Sequence, residues 1–229
     1  MQVCVFGAGA IGGHVATRLL AAKSSSVSVV ARGAALKAMR ERGLTLRYNG
    51  KEEIHAAVPV ATDDPATLPP QDYVIVTLKA PALPGVAHAL SRLLKPDGCA
   101  VFLNNGIPWW WPQGKDGKGP LPLLDPQGTL WSELRARTLG CVVYSPNEPT
   151  EPGVIVHRGA NRWVMGEPDN TITPRLERIV KLFDGAGLKA EASTNVRREI
   201  WLKLVRNASN NTLSALTRRP LAEASGDAE

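Results

Sequence analysis

The chain has 229 residues, 44% of them hydrophobic and 21% charged, which indicates one folded domain with part of a second and excludes a disordered chain. Its three cysteines lack C-x-x-C spacing, so we expect neither a disulfide framework nor a metal site, and a reducing cytoplasm fits best. The net charge of +6 is spread along the chain, so we expect small anionic ligands rather than nucleic acid as partners. No apolar run reaches the roughly 18 residues of a membrane span, so we expect no membrane partner.

The opening of the chain predicts a βαβ unit. Residues 3–6 form an apolar run that ends at glycines, residues 10–22 carry apolar side chains at helical spacing, and residues 27–30 are apolar and β-branched. Such units are almost always right-handed with parallel strands. Further strands are expected at residues 44–48, 54–60, 73–78 and 99–103, with a helix at 86–94. This alternation predicts an α/β fold with a doubly wound, Rossmann-type sheet.

The pattern breaks at residues 108–126. Three consecutive tryptophans, Trp109 to Trp111, precede a stretch rich in glycine, proline and lysine, and we expect a long surface loop there. Three strands at residues 141–144, 153–157 and 162–165 are then expected to close the sheet in antiparallel fashion.

Two helices complete the pattern. The first is expected to have Thr173 as its N-cap, to run to Ala186 and to stop at Gly187, and the second is expected at residues 194–217. We therefore predict an NADP-binding Rossmann domain over residues 1–188. Residues 189–229 would be the beginning of a helical domain for substrate binding and dimerisation, because so short a tail cannot build a core of its own.

The turn after the first strand carries a G-x-G-x-x-G motif. It consists of Gly7, Ala8, Gly9, Ala10, Ile11 and Gly12. Between a predicted strand and a predicted helix, the glycines allow a tight turn, close approach of a pyrophosphate and close packing of the helix on the strand. We therefore expect these six residues to bind a dinucleotide, the alternative being a glycine-rich turn without a ligand.

Arg32 follows the second predicted strand, where an NAD-binding site would place an acidic residue on the ribose hydroxyls. A guanidinium group at this position suits a ribose 2′-phosphate. The sequence therefore favours NADP(H), although Arg32 could also be an ordinary surface arginine.

Near the end of the chain, Lys203, Asn207 and Asn211 are spaced four residues apart. On a helix this spacing produces one slowly rotating polar stripe. The three side chains could converge on a cleft or could line a solvated helix face. The four histidines lie in no motif, and we expect them to be ordinary surface or packing residues.

Together these motifs resemble the ketopantoate reductase (2-dehydropantoate 2-reductase) family. The resemblance covers essentially the whole chain and rests on the glycine turn, Arg32, the sequence V-T-L-K at residues 76–79, L-N-N-G at 103–106, and K-L-x-x-N-x-x-x-N at 203–211. It implies NADPH-dependent reduction of a 2-oxo acid to a 2-hydroxy acid, with 2-dehydropantoate as the expected substrate and pantoate, an intermediate of pantothenate biosynthesis, as the product.

The resemblance also implies residue roles. Lys203 would be the proton donor, and Asn207 and Asn211 would hold the hydroxyl and carboxylate groups of the substrate. Asn105, next to Gly106 in the motif, would lie beside both the nicotinamide and the substrate. Lys79 would bind the cofactor together with Arg32.

The chain departs from the family in two ways. Family members have a complete helical second domain whose later helices add a serine and a glutamate to the substrate site, and this chain ends before those positions. We therefore expect either a fragment of a longer protein or a compromised activity, and a non-catalytic NADP(H)-binding sensor is the alternative function. The tryptophan-rich insertion could form a lid over the site, or it could pack on a further domain or at a homodimer contact.

Overall fold

The computed structural model describes residues 1–48, 52–114 and 119–224. Its main sheet contains eight strands. In chain order they are β1 (Gln2–Phe6), β2 (Ser26–Val30), β5 (Val60–Thr62), β6 (Gln71–Val76), β7 (Leu94–Phe102), β8 (Thr138–Tyr144), β11 (Arg162–Gly166) and β12 (Lys189–Ala192). Their order across the sheet is β12-β11-β8-β7-β6-β1-β2-β5.

Six neighbouring strands of this sheet, from β8 to β5, are parallel, which confirms the Rossmann-type prediction. From β1 the chain proceeds outward to β2 and β5 and then returns to the other side of β1 with β6. The switch point therefore lies between β1 and β6, where ligands bind in folds of this type. β11 is antiparallel to β8, as predicted for residues 162–165, and β12 adds a parallel edge strand beside β11. Residues 141–144, also predicted to join the sheet in antiparallel fashion, belong to β8, which is parallel to β7.

A second sheet has four strands in the order β4-β3-β10-β9. These strands are β3 (Leu44–Tyr48), β4 (Glu52–Ala56), β9 (Asn147–Glu151) and β10 (Val154–His157). The prediction that residues 153–157 close the main sheet is therefore wrong, because β10 pairs with β3 and β9 instead. The predicted strand at residues 54–60 is two strands, β4 and β5, which belong to different sheets.

Seven helices lie within the described residues. They are α1 (Ala10–Ala22), α2 (Gly33–Arg42), α3 (Ala87–Leu93), α4 (Thr129–Leu134), α5 (Pro174–Gly185), α6 (Val196–Thr217) and α7 (Leu221–Ala224). At the start of α5 the Thr173 hydroxyl accepts a hydrogen bond from the Leu176 amide at 3.3 Å, which confirms the predicted N-cap. α6 starts two residues later than predicted, after Asn195 as its N-cap.

Each face of the main sheet has its own core. Along β1 the side chains of Val3 and Val5 belong to one core, with α1, α5 and the small sheet, whereas Cys4 and Phe6 belong to the other, with α3 and α4. On the first face α1 packs closely against the small sheet because Gly13 has no side chain. A Cβ at this position would be 2.4 Å from the Ile155 side chain.

The second core also contains Trp109 and Trp110, so the prediction that residues 108–126 form a surface loop is wrong for these two residues. Both side chains are buried, and the Trp109 ring meets Phe102 edge-on at 5.4 Å between centroids. A run of three tryptophans buries enough apolar surface to be drawn into the core even without regular secondary structure. Residues 115–118 of this segment lie outside the described residues.

The predicted domain boundary at residue 188 falls just before β12, which still belongs to the main sheet. Beyond it, α6 packs on the sheet through Val196 and Ile200, and most of its later side chains are exposed. The division into two domains stays a prediction, and its last residues, 225–229, lie outside the described part. No helix in the described part of the chain has the length and apolar character needed to cross a membrane.

Candidate functional site

The glycine turn connects β1 to α1 as predicted. Gly7 has a φ of +104°, and its amide donates to the Val30 carbonyl of β2 at 2.9 Å. A Cβ on Gly12 would lie 2.0 Å from the carbonyl oxygen of Gly7, so only glycine fits where the helix leaves the strand. Around Gly9, by contrast, a Cβ would meet no atom within 4 Å.

Gly9 is the N-cap of α1, and no side chain caps this helix. The amide groups of a first helical turn have no acceptor within the helix, and together with the helix dipole they attract an anion. The open space at Gly9 and the uncapped helix therefore fit the pyrophosphate of a dinucleotide.

Thr77 secures this turn from the neighbouring strand. Its hydroxyl donates to the Gly7 carbonyl at 2.8 Å and would be 2.5 Å from a Cβ on Gly12. The sequence analysis assigned Thr77 no role of its own. Its position at the carboxyl end of β6, beside β1 across the switch point, was the signal that could have identified it.

A cleft of about 430 Å³ opens at the glycine turn. Its lining includes Gly7, Gly9, Ala31, Arg32, Asp63 and Leu78. The exposed Arg32 precedes α2 and forms no salt bridge within the described part of the chain. The carboxylate of Asp63, which follows β5, lines the same cleft, and the sequence analysis missed it because β5 pairs with β2 only in the folded chain.

Two further predicted residues lie at the same edge of the sheet. Lys79 is exposed, follows β6 and precedes a short 3-10 turn, and the structure shows no salt bridge for it among the described residues. Asn105 is exposed and follows β7, next to Gly106, whose φ is +80°. The neighbouring Asn104 has a different environment, because its side-chain amide donates to the Leu78 carbonyl and joins the ends of β6 and β7.

Lys203 is placed on α6 so that it reaches the end of β8. Its ammonium group donates to the main-chain carbonyl of Val143 and lies 5.4 Å from the centroid of the Tyr144 ring. Burial lowers the pKa of Lys203 to about 8; Cys141 opposes this shift, and the like charge of Arg206 adds to it. A lysine with a pKa this close to neutrality can release and regain a proton under physiological conditions.

The positions of Lys203 and Asn105 are related by the sheet. β7 and β8 are parallel neighbours, so their carboxyl ends lie at one edge, and these two residues are held at that edge. Asn207 and Asn211 follow Lys203 at one and two helical turns, as predicted, and their side chains form no hydrogen bond within the described part of the chain. The structure thus brings the glycine turn, Asn105 and Lys203 to the same edge, while Asn207 and Asn211 lie farther along α6.

Arg197 was also missed, although it joins the tryptophan segment to the loop that follows β11. Its side chain is buried, and its guanidinium group donates to the carbonyl oxygens of Trp111, Gln113 and Pro168. The guanidinium carbon lies 4.7 Å from the Trp111 ring centroid. The tryptophan segment is therefore held against the first turn of α6, which gives no support to the interpretation that it forms a lid.

Comparison with known proteins adds an independent line of support. A sequence profile described as "Ketopantoate reductase PanE/ApbA" matches residues 3–170. A 2-dehydropantoate 2-reductase of Mesorhizobium japonicum is 38% identical over 97% of this chain and 69% of its own length, and one of Pyrococcus horikoshii is 26% identical over 94% and 64%. This chain thus spans about two thirds of the length of these relatives.

Solved structures agree with the sequence matches. A PanE/ApbA family ketopantoate reductase from Ralstonia eutropha superposes with a TM-score of 0.76 at 28% identity, covering 95% of this chain and 65% of the other. A crystal structure assigned to the ketopantoate reductases, from Ralstonia solanacearum, has a TM-score of 0.86 at 40% identity, covering 94% and 67%. Because the family profile covers most of the chain and a relative well above 30% identity shares nearly all of it, the chain belongs to the ketopantoate reductase PanE/ApbA family.

Proposed function

We propose that this protein reduces a 2-oxo acid to the 2-hydroxy acid with NADPH, and that 2-dehydropantoate is the substrate. The observation that supports the proposal is Lys203: its ammonium group donates to the Val143 carbonyl near the end of β8, and burial lowers its pKa to about 8. The family and the names of its relatives indicate the substrate.

The residues of the cleft fit the cofactor. The uncapped start of α1 and Gly9 would hold the pyrophosphate, and Arg32 and Lys79 would neutralise the ribose 2′-phosphate. When bound, NADPH supplies the hydride that reduces the carbonyl carbon of the substrate.

Lys203 would complete the reduction. As the carbonyl carbon is reduced, negative charge develops on its oxygen, and the ammonium group stabilises this charge and transfers its proton to form the hydroxyl. Asn105 would orient the substrate from the end of β7, and Asn207 and Asn211 would hold its hydroxyl and carboxylate groups from α6. Their amide groups can donate and accept hydrogen bonds, which suits both kinds of group.

The test is a panel of 2-oxo acids assayed for NADPH oxidation, with NADPH binding measured separately by calorimetry. We expect turnover of 2-dehydropantoate, and Lys203→Ala should lower kcat by about 10²–10⁴-fold with little change in the Kd of NADPH, because its proton is needed only in the transition state. Lys181→Ala, which removes an exposed lysine of α5, is the matched control. Tight NADPH binding without turnover of any 2-oxo acid would reject the reductase proposal in favour of a sensor.

A further inference from the structure

Tyr144, the last residue of β8, lies against one stripe of α6. Its hydroxyl donates to the main-chain carbonyl of Glu199 at 3.5 Å. Its ring centroid is 5.4 Å from the Lys203 ammonium group and 5.6 Å from the guanidinium carbon of Arg206. Residues 199, 203 and 206 share one side of the helix, so the tyrosine contacts three successive turns. Lys203 is thus held between the Val143 carbonyl and an aromatic ring.

The positive charges around this ring are unequally neutralised. Arg162, the cross-strand partner of Tyr144, also lies over the ring at 5.2 Å and forms salt bridges with Glu191 and Glu199. Lys203 and Arg206, in contrast, form no salt bridge with any described residue. The face of an aromatic ring attracts cations through its quadrupole, so the tyrosine can hold both groups without a carboxylate.

The carboxylate of Glu199, one turn before Lys203 on the same stripe, is ion-paired with Arg162 and Arg198 rather than with Lys203. The other two groups beside Lys203, Tyr144 and Cys141, are uncharged near neutral pH. Burial raises the pKa of Tyr144, and it also raises the pKa of the Cys141 thiol to about 12. The lack of charge on Tyr144 and Cys141 matters for proton transfer. A carboxylate paired with Lys203 would favour its protonated form and oppose release of the proton. A neutral ring holds the ammonium group in place with a much smaller effect of this kind.

We propose that Tyr144 is a positioning residue for Lys203, holding its ammonium group at the end of β8 while Arg206, on the same ring, keeps a second positive charge close to it. The inference rests on the proposed role of Lys203 as proton donor. It explains why a half-buried aromatic side chain stands where the carboxyl edge of the sheet meets α6.

The direct test measures the protonation of Lys203 by NMR, from the ¹³Cε shift of labelled lysine, with Lys203→Arg used for assignment. Tyr144→Leu should raise the midpoint by about one pH unit, because hydration of the ammonium group once the ring is removed outweighs the loss of the ring's weaker attraction for the charge. Tyr144→Phe, which keeps the ring, should stay close to the unmutated protein. An unchanged midpoint in Tyr144→Leu, or equal shifts in both variants, would overturn the proposal.

A second pair of variants tests the like charge. Arg206→Gln should raise the Lys203 midpoint by roughly half a unit, because a nearby cation disfavours protonation. Arg198→Gln is the matched control, since Arg198 is exposed on the same helix and is ion-paired to Glu199 rather than placed over the ring. A shift in Arg198→Gln as large as that in Arg206→Gln would contradict a specific contribution from Arg206.

Kinetics separate this proposal from the proposed function. With NADPH and 2-dehydropantoate, Tyr144→Leu should lower kcat by about tenfold and move the alkaline limb of the pH profile upward, with the Kd of NADPH unchanged, and Tyr144→Phe should restore most of the rate. If the unmutated protein turns over no 2-oxo acid, the reductase proposal fails. The NMR titration still decides whether Tyr144 controls Lys203.

Discussion

Arg32 lines the glycine-turn cleft and forms no salt bridge with any described carboxylate. We therefore expect this one side chain to set the choice between NADPH and NADH. Arg32→Ala should weaken NADPH binding by about tenfold to a hundredfold, which corresponds to loss of a charge-assisted contact of about 1.5–3 kcal/mol. NADH binding should change little, because NADH lacks the 2′-phosphate. Calorimetric titration with both cofactors measures the difference.

The matched control for this prediction is Lys37→Ala, which removes an exposed lysine from the same helix that Arg32 precedes. Equal affinity of the unmutated protein for NADPH and NADH would show that Arg32 does not select the cofactor. Asp63 would then be the residue to examine, because its carboxylate lines the same cleft and could accept ribose hydroxyls.

His14 makes stability depend on pH. It is fully buried in α1, its ring lies 4.6 Å from that of His157, and both rings lie near the Ser145 hydroxyl, at 3.4 Å and 3.3 Å. Burial lowers the pKa of His14 to about 3, and the charges of His157 and Arg18 act in the same direction. Because the unfolded chain takes up this proton more readily than the folded one, the contribution to stability is complete above about pH 6.5 and is lost progressively toward pH 3.

Replacing His14 should therefore flatten the acid side of the stability curve. Between about pH 6.5 and 5, His14→Gln should reduce the slope of the unfolding free energy by up to roughly 1.4 kcal/mol per pH unit. Urea unfolding at a series of pH values gives this slope. Thr17→Ala, a buried substitution one turn along α1, should lower stability without changing the slope, and parallel curves for His14→Gln and the unmutated protein would rule out His14 as the source.

At the scale of elements, the Trp110 ring packs directly on β8 because Gly140 has no side chain. A Cβ on Gly140, in β8, would lie 2.4 Å from the Trp110 ring, which is fully buried. Gly140→Ala should therefore displace the ring and destabilise the protein by about 1–3 kcal/mol, as measured by urea unfolding. Gly185→Ala is the control, because a Cβ at the end of α5 meets no atom within 4 Å and alanine favours helix. Equal stability of the two variants would show that the Trp110 ring can move aside without lowering the free energy of unfolding.

The elements also show what local pattern can and cannot predict. β1, α1 and β2 lie within a residue of their predicted ends, because a glycine-bounded βαβ unit carries its own periodicity and turn signals. α2 was missed, since its first residue is glycine and it buries only Leu36, Ala38 and Met39 on a short face. β9 was missed as well, because its sequence is polar and contains a proline, and only pairing with β10 makes it a strand.

At the scale of the whole molecule, the sequence by itself determined the parallel sheet, the cofactor turn and the spacing of Lys203, Asn207 and Asn211. Each of these is encoded within one strand, one turn or one helix, where local sterics and periodicity decide the structure. The tertiary structure alone decided the second sheet, in which β3 pairs with a strand more than 100 residues away, and the burial of Trp110 against Gly140. The tertiary structure also decided the environment of Lys203. Its ammonium group contacts the Val143 carbonyl and the Tyr144 ring of β8, and burial lowers its pKa. No local sequence pattern predicts which strand a helix will cover.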